Sequence, residues 1–185
     1  MASRTHRLFI AVPLPDHVRR AIGEELPRQL PGWRWVAPER YHVTLSFLGE
    51  LHGSDLEAVR EAMAETAERG APFELRAASI GAFPRPSRAI TVWVGVAGDT
   101  EELAALQADL VSELSHAGFV LEAREYQPHV TVARPRRPQP LPEALRHLFD
   151  AEFGSWTVDR IQLYESRLSS AGPRYELLDE APFPG

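Results

Sequence analysis

Polar and apolar residues alternate along two stretches of the chain, 41–48 and 129–133. Successive side chains of a β-strand point to opposite faces, so a period of two indicates a strand with one polar and one apolar face. The tetrapeptide His42-Val43-Thr44-Leu45 returns 87 positions later (129 − 42) as His129-Val130-Thr131-Val132. Each stretch is therefore predicted to be a strand that carries a histidine and a threonine on one face.

Other stretches show the apolar spacing of helices or the composition of strands. Helices are predicted from Asp16 to Pro27, from Ser54 to Gly70 and from Thr100 to Ala117, and 141–149 also has helical spacing. Further strands are predicted over 8–12, 33–36, 73–80, 90–96, 156–163 and 175–178. The stretches 81–88 and 134–140 are rich in proline, which cannot donate to a strand ladder, and are predicted to be loops.

Helices interleaved with strands, together with the repeated motif, indicate an α+β protein. We expect two pseudo-symmetric lobes, each an antiparallel sheet with helices on its outer face, and a catalytic cleft between their inner faces. The 185 residues are enough to bury a substantial core. We expect them to form one bilobal domain over 1–185.

Composition narrows the possible functions. Cysteine is absent, which excludes disulfides, thiolate zinc sites and a cysteine nucleophile. The net charge is −6, whereas proteins that hold nucleic acid along its length normally carry a basic stripe. We therefore expect the chain to bind a nucleic-acid terminus or a small phosphorylated molecule. The apolar run 8–12 is too short for a signal peptide or a membrane span, so we expect a cytoplasmic protein that does not contact membranes, and a monomer.

The two histidines can supply an acid and a base. In-line displacement at phosphorus needs a base for the attacking oxygen and an acid for the departing one, on opposite sides. His42 and His129 on facing strands meet this need. The hydroxyls of Thr44 and Thr131 can donate to the non-bridging phosphate oxygens. This chemistry requires neither a metal nor a cofactor.

Metal binding is the main alternative for a pair of histidines. In a regular strand the positions two and four residues beyond each histidine share its face. They hold Thr44 and Ser46 in one motif and Thr131 and Ala133 in the other, so a second metal ligand is missing from both. Arg134, one residue beyond Ala133, is a candidate to contact the substrate, with a solvated surface position as the alternative.

The remaining histidines and the aromatic residues suggest less. We expect His6 to lie in a flexible terminus. We expect no role for the other four histidines, which are His17, His52, His116 and His147. Four aromatic residues are candidates to stack on a base, although such spacings are more often those of core residues: Trp33, Trp35, Phe47 and Phe83.

The paired motifs resemble those of the two-histidine phosphoesterase superfamily, and within it those of the RNA 2′,3′-cyclic phosphodiesterases, also called 2′-5′ RNA ligases. The resemblance covers nearly the whole chain in order. It includes Arg7-Leu8-Phe9-Ile10-Ala11, Trp35-Val36, the stretch 42–50, Gly81-Ala82-Phe83-Pro84, and the stretches 128–134, 163–168 and 172–175.

This resemblance implies a bilobal fold with a central cleft and a reaction that opens a 2′,3′-cyclic phosphate on RNA to leave a 2′-phosphate. It implies that His42 protonates the departing 3′ oxygen and that His129 activates water. Thr44 and Thr131 would hold the phosphate oxygens, and the reverse reaction would join RNA ends through a 2′-5′ linkage. Val132 stands where leucine is common, and we expect it to point away from the cleft.

Two alternative functions stay open. One is a cyclic phosphodiesterase that acts on a small nucleotide such as a cyclic phosphate of ADP-ribose. The other is a non-catalytic module that binds nucleotides or RNA.

Overall fold

A computed structural model of the protein describes residues 5–27, 30–169 and 172–185. Within these residues, nine strands form one antiparallel sheet, and three α-helices and three short 3-10 turns complete the fold. The predicted α+β class is confirmed. No helix in the described part of the chain is long and apolar enough to cross a membrane.

The elements follow one another along the chain with these bounds. They are β1 (Thr5–Pro13), α1 (Asp16–Glu25), β2 (Trp33–Trp35), β3 (His42–His52), α2 (Leu56–Arg69), β4 (Phe73–Arg85), β5 (Arg88–Gly98), α3 (Thr100–His116), β6 (His129–Pro135), β7 (Glu152–Val158), β8 (Arg160–Ser169) and β9 (Gly172–Pro182). The 3-10 turns are Pro38–Arg40, Gly53–Asp55 and Glu143–Leu148.

The apolar spacing predicted the buried faces of the helices. In α1, Val18 and Ile22 are fully buried. In α2, Val59 is fully buried and Met63 is 1% exposed. The apolar spacing of α3 comes from four leucines three or four residues apart, which are buried as well: Leu103, Leu106, Leu110 and Leu114. The predicted helix over 141–149 is a 3-10 turn at Glu143–Leu148.

Two predictions about irregular segments are wrong. The stretch 81–88 is not a loop, because β4 and β5 continue through it and meet in a tight turn after Arg85. Pro84 is tolerated there because it lies at a shift in the register between the two strands, where the ladder is already irregular. His6 is not in a flexible terminus but inside β1, where its Nδ1 is 2.9 Å from Oε1 of the buried Glu165.

The sheet consists of two halves with equivalent strand order. From the centre outward, one half contains β3, β1, β8 and β9, and the other contains β6, β5, β4 and β7, while β2 pairs with the outer end of β6. A strand and a helix precede the motif strand in each half, as β1–α1–β3 and β5–α3–β6. The expected pseudo-symmetry is therefore present, but the two expected sheets are halves of one continuous sheet.

The two halves meet where β3 pairs with β6. The described register between these strands consists of one pair, Val43 with Val130, and both side chains are fully buried. They belong to the same core cluster as the leucines of α3. A hydrogen bond from the Tyr126 hydroxyl to the carbonyl of Thr44, at 3.1 Å, provides a second link between the motifs.

Both motif strands contain a β-bulge at the same place. The partner of Thr44 is Ala11 and that of Ser46 is Ile10, so Leu45 is an extra residue in β3. In β6, Thr131 pairs with Trp93 and Ala133 with Val92, which makes Val132 the extra residue. A bulge interrupts the alternation of side chains between the two faces of a strand. Beyond the extra residue of each strand, the side chains therefore alternate between the two faces in the opposite sense.

Gly81 lies beneath the indole of Trp93. Trp93 is the strand partner of Thr131, so its ring lies on the same face of the sheet as the histidines and threonines of the motifs, here called the cleft face. A Cβ at position 81 would clash with the Trp93 ring. We expect Gly81→Ala to lower the free energy of unfolding by about 1–3 kcal/mol, since the ring must move in a packed sheet. At this chain length each kcal/mol corresponds to about 2–4 °C in Tm by thermal unfolding.

Gly53→Ala is the matched control, because a Cβ there would meet only His6 Nε2, at 3.9 Å. Equal Tm values for the two variants would contradict the close packing of Trp93 on Gly81.

Candidate active site

The junction between β3 and β6 brings the two motifs together. His42 and His129 are the first residues of their strands, and each precedes the central valine of its motif. Because the strands are antiparallel, each histidine lies diagonally across the junction from the other and opposite the threonine of the other motif. The structure thus gathers His42, His129, Thr44 and Thr131, all half-buried, on one face of the sheet.

Both imidazoles are held by the same device. His42 Nδ1 lies 2.8 Å from the carbonyl oxygen of Arg40, and His129 Nδ1 lies 2.7 Å from that of Gln127. A carbonyl can only accept a hydrogen bond, so Nδ1 carries a proton in both rings. Nε2 is therefore the atom that can take up or release a proton toward a substrate.

Aromatic rings surround His42. Its ring centroid is 4.8 Å from that of Phe9, 5.4 Å from that of Tyr175 and 6.4 Å from that of Tyr164. Burial among these rings lowers the pKa of His42 to about 4, since the charged imidazolium loses its hydration. The hydrogen bond to Arg40 opposes this shift, and the nearby His129 adds to it.

His129 lies in a comparable but more open environment. The ring of Phe83 meets it edge to face at 5.0 Å. Burial lowers the pKa of His129, the hydrogen bond to Gln127 raises it, and the charges of Arg134 and Arg124 lower it further. Both imidazoles are therefore predominantly neutral at pH 7 in the free protein.

The bulges place one further residue of each motif on the cleft face. Arg134 points to this face, where its Nη1 donates to Oγ1 of Thr91 at 2.8 Å. Phe47 pairs with Phe9 and is 57% exposed. It is the fifth residue after His42, just as Arg134 is the fifth residue after His129. The two positions are equivalent in the pseudo-symmetry, yet one holds a cation and the other an aromatic ring.

The same bulges correct the sequence-based assignment of faces. Ser46 and Ala133 do not share the face of the histidines but are buried on the opposite side, at 7% and 0% exposure. Val132, also fully buried, points away from the cleft as expected. Within the described residues, His, Cys, Asp and Glu side chains form no group of three that could hold a metal ion.

The other aromatic candidates divide between the two faces. Trp33 and Trp35 are half-buried and pack against the core, whereas Phe83 contacts His129. Local sequence patterns offered no reason to select Tyr164 and Tyr175, because β8 and β9 are far from His42 along the chain. An open groove of 910 Å³ leads away from His42 past Tyr164, Tyr175 and Arg40.

A two-fold repeated His-x-Thr strand, with both imidazoles on one cleft face, defines the class of two-histidine phosphoesterases. Comparison with protein families agrees, since residues 14–169 match the model of the 2′-5′ RNA ligase superfamily. The chain belongs to this superfamily, and the predicted family is confirmed.

Curated relatives and solved structures extend the match. The RNA 2′,3′-cyclic phosphodiesterase of Methanothermobacter thermautotrophicus is 36% identical over 91% of this chain and 94% of its own length. That of Geobacillus stearothermophilus is 35% identical over 98% of this chain, which spans only 58% of that relative. A crystal structure from Thermus thermophilus superposes with a TM-score of 0.82 at 28% identity, covering 96% of this chain and 97% of that one. Escherichia coli LigT gives 0.79 at 27%, covering 98% and 99%.

We expect NMR titration to show the histidines of both motifs losing their protons below pH 6.5, with His42 near pH 4, because burial penalises the imidazolium. The unfolded chain takes up these protons at higher pH than the folded one, so stability should fall as the pH drops from about 6.5 toward 4. Inorganic phosphate should raise both pKa values, since an anion stabilises the charged rings.

The variants His42→Gln and His129→Gln assign the two signals by their disappearance. A His42 signal that titrates at pH 6.5 or above in the free protein would contradict the burial of this ring.

Proposed function

We propose that the protein hydrolyses 2′,3′-cyclic phosphate ends of RNA to 2′-phosphates by acid–base catalysis between two histidines, without a metal ion. The observation that carries this proposal is the placement of two imidazoles, each with Nδ1 bonded to a carbonyl, on one face with a threonine beside each. Family membership and the names of the curated relatives confirm the prediction of a cyclic phosphodiesterase. The role of each residue stays a proposal.

The reaction proceeds by in-line displacement. Nε2 of His129 takes a proton from water, whose oxygen attacks phosphorus. The bond from phosphorus to the 3′ oxygen breaks, and that oxygen takes the proton from Nε2 of His42. The hydroxyl groups of Thr44 and Thr131 donate hydrogen bonds to the non-bridging oxygens, whose negative charge grows in the transition state. Proton exchange with solvent restores both imidazoles.

The low pKa values of the free protein fit this sequence of events. His42 has to be protonated to act as the acid, yet burial keeps it neutral at pH 7. A bound phosphodiester places a negative charge against the ring and raises its pKa. Binding of the substrate therefore favours protonation of His42, the general acid. In the free protein His42 stays neutral, so the site does not contain a buried charge without a partner.

Phe47 and Arg134 give the substrate its orientation. The exposed ring of Phe47 offers a stacking surface for the terminal base, and stacking of one base contributes about 1–3 kcal/mol. Arg134 adds positive charge on the same face, beyond Thr131. Both histidines come from the same chain, which supports a monomer as the active form. Run in reverse, with a 5′-hydroxyl in place of water, the site would form a 2′-5′ linkage.

We expect His42→Ala and His129→Ala each to reduce hydrolysis of a 2′,3′-cyclic mononucleotide to the background rate, with EDTA present throughout. The wild type should produce only the 2′-phosphate, which chromatography of the products separates from the 3′-phosphate. Thr44→Val or Thr131→Val should lower kcat by about 10²–10³, as expected for loss of one donor to a developing charge.

His116→Ala, at the exposed end of α3, is the control and should retain full activity. Turnover at the wild-type rate in either active-site alanine variant would refute the two-histidine mechanism.

Comparison of kcat/KM on RNA ends and on a cyclic phosphate of ADP-ribose separates the two substrate classes.

We expect Phe47→Leu to raise KM for a cyclic mononucleotide about 5–20-fold while kcat changes less than twofold, because an aromatic stacking surface is lost but apolar bulk remains. Steady-state kinetics measure both parameters. Ribose 2′,3′-cyclic phosphate lacks a base, so its KM should be the same in wild type and variant. An equal effect on both compounds would show that Phe47 does not contact the base.

A further inference from the structure

We propose that Arg34 and Arg134 together form a second anion site, which binds a non-reacting phosphodiester of the RNA substrate. This inference rests on the proposed function and makes it more specific. It predicts that the protein prefers an RNA end of two or more nucleotides over a cyclic mononucleotide.

Strand pairing places the two arginines side by side. Arg34 is the middle residue of the three-residue strand β2, and its partner in β6 is Arg134. Its neighbours Trp33 and Trp35 pack against the core, so Arg34 points to the opposite face. Arg134 reaches the same face through the bulge and donates to Thr91, which pairs with Phe83. Because Phe83 contacts His129, this is the cleft face.

The electrostatics of this pair call for an anion. Like charges directly opposite each other on neighbouring strands are destabilising, with Cβ atoms about 4.5–5.5 Å apart. In the described ranges, no carboxylate lies within 4.0 Å of either guanidinium, although the chain contains 26 acidic residues. The one side-chain bond found for Arg134 among these residues goes to a neutral hydroxyl. A phosphodiester would relieve the repulsion and match the donor geometry of both guanidinium groups.

The position of the pair separates it from the reacting phosphate. Arg134 is three residues beyond Thr131, which corresponds to at most about 10 Å along a strand. The charge of Arg134 lowers the pKa of His129, so this member of the pair lies within the electrostatic environment of the motifs. A nucleoside 2′,3′-cyclic phosphate has no second phosphate to place there, whereas an RNA end has one in the adjacent linkage.

The phosphodiester can come from either of two strands. One is the strand that carries the cyclic phosphate, and the other is the strand that offers a 5′-hydroxyl in the reverse reaction. Both present the same chemistry to Arg34 and Arg134.

The test compares a 2′,3′-cyclic mononucleotide with a dinucleotide that ends in a 2′,3′-cyclic phosphate. Wild type should prefer the dinucleotide, and Arg34→Gln should reduce the ratio of the two kcat/KM values about tenfold. The slope of log kcat/KM against log salt for the dinucleotide should become shallower by about 0.7 in the variant, as expected for one lost phosphate contact. The Tm should not fall, because the substitution removes a repulsion.

Arg20→Gln, an exposed position on α1, is the matched control and should change neither ratio nor slope. A 5′-hydroxyl dinucleotide without a terminal phosphate identifies the strand. If Arg34→Gln weakens its inhibition of mononucleotide hydrolysis, the site serves the entering strand. If the inhibition is unchanged and the kinetic ratio falls, the site serves the strand with the cyclic end.

Calorimetric binding of the dinucleotide 2′-phosphate product makes the result independent of turnover. A tenfold weaker Kd in Arg34→Gln would support the site even if no hydrolysis were found, an outcome that would refute only the proposed function. Equal losses for both substrates, or no loss for either together with unchanged inhibition by the 5′-hydroxyl dinucleotide, would overturn the inference while leaving cyclic phosphate hydrolysis intact.

Discussion

The pairing of Val43 with Val130 is the contact on which the site depends. Two buried valines fix the register in which β3 and β6 run past each other, and every polar group of the motifs takes its position from that register. A shift by one residue would turn the histidines into the core, because the side chains of a strand alternate. The apolar side of the junction therefore sets the geometry of the polar side, and the core cluster around α3 holds it in place.

The site places two imidazoles, which change charge in the proposed mechanism, in partly desolvated surroundings. The rings of Phe9, Tyr164 and Tyr175 keep His42 neutral in the free protein, while backbone carbonyls fix the tautomer of both imidazoles. A charged substrate changes this balance, because its phosphate is the partner that an imidazolium lacks in the empty cleft. Protonation and binding are thus coupled, because the aromatic rings disfavour the charged imidazolium and only a bound anion offsets this cost.

The sequence predicted those features that depend on local periodicity. Alternation identified the motif strands, and the spacing of the leucines identified α3. The bulges are not evident from the sequence, because one extra residue leaves the polar and apolar pattern of a short strand nearly unchanged. Simple alternation therefore placed Ser46 on the face of the histidines, whereas in the structure Phe47 lies on that face and Ser46 is buried on the other. The partnership of Arg34 with Arg134 was also hidden, since it depends on pairing between strands that are far apart in the chain. The roles of acid and base rested on resemblance alone.

The near two-fold symmetry of the cleft has a consequence for regiochemistry. A cyclic phosphate turned end for end would meet the same set of imidazoles and hydroxyls, so the histidines alone do not determine whether the 2′ or the 3′ oxygen departs. The halves differ in the residue that follows each bulge, an aromatic ring at position 47 and a guanidinium at position 134, and in the aromatic rings that surround His42. In the proposed reaction these differences, and not the histidines, select the oxygen that departs, and the residues at positions 47 and 134 take no part in proton transfer.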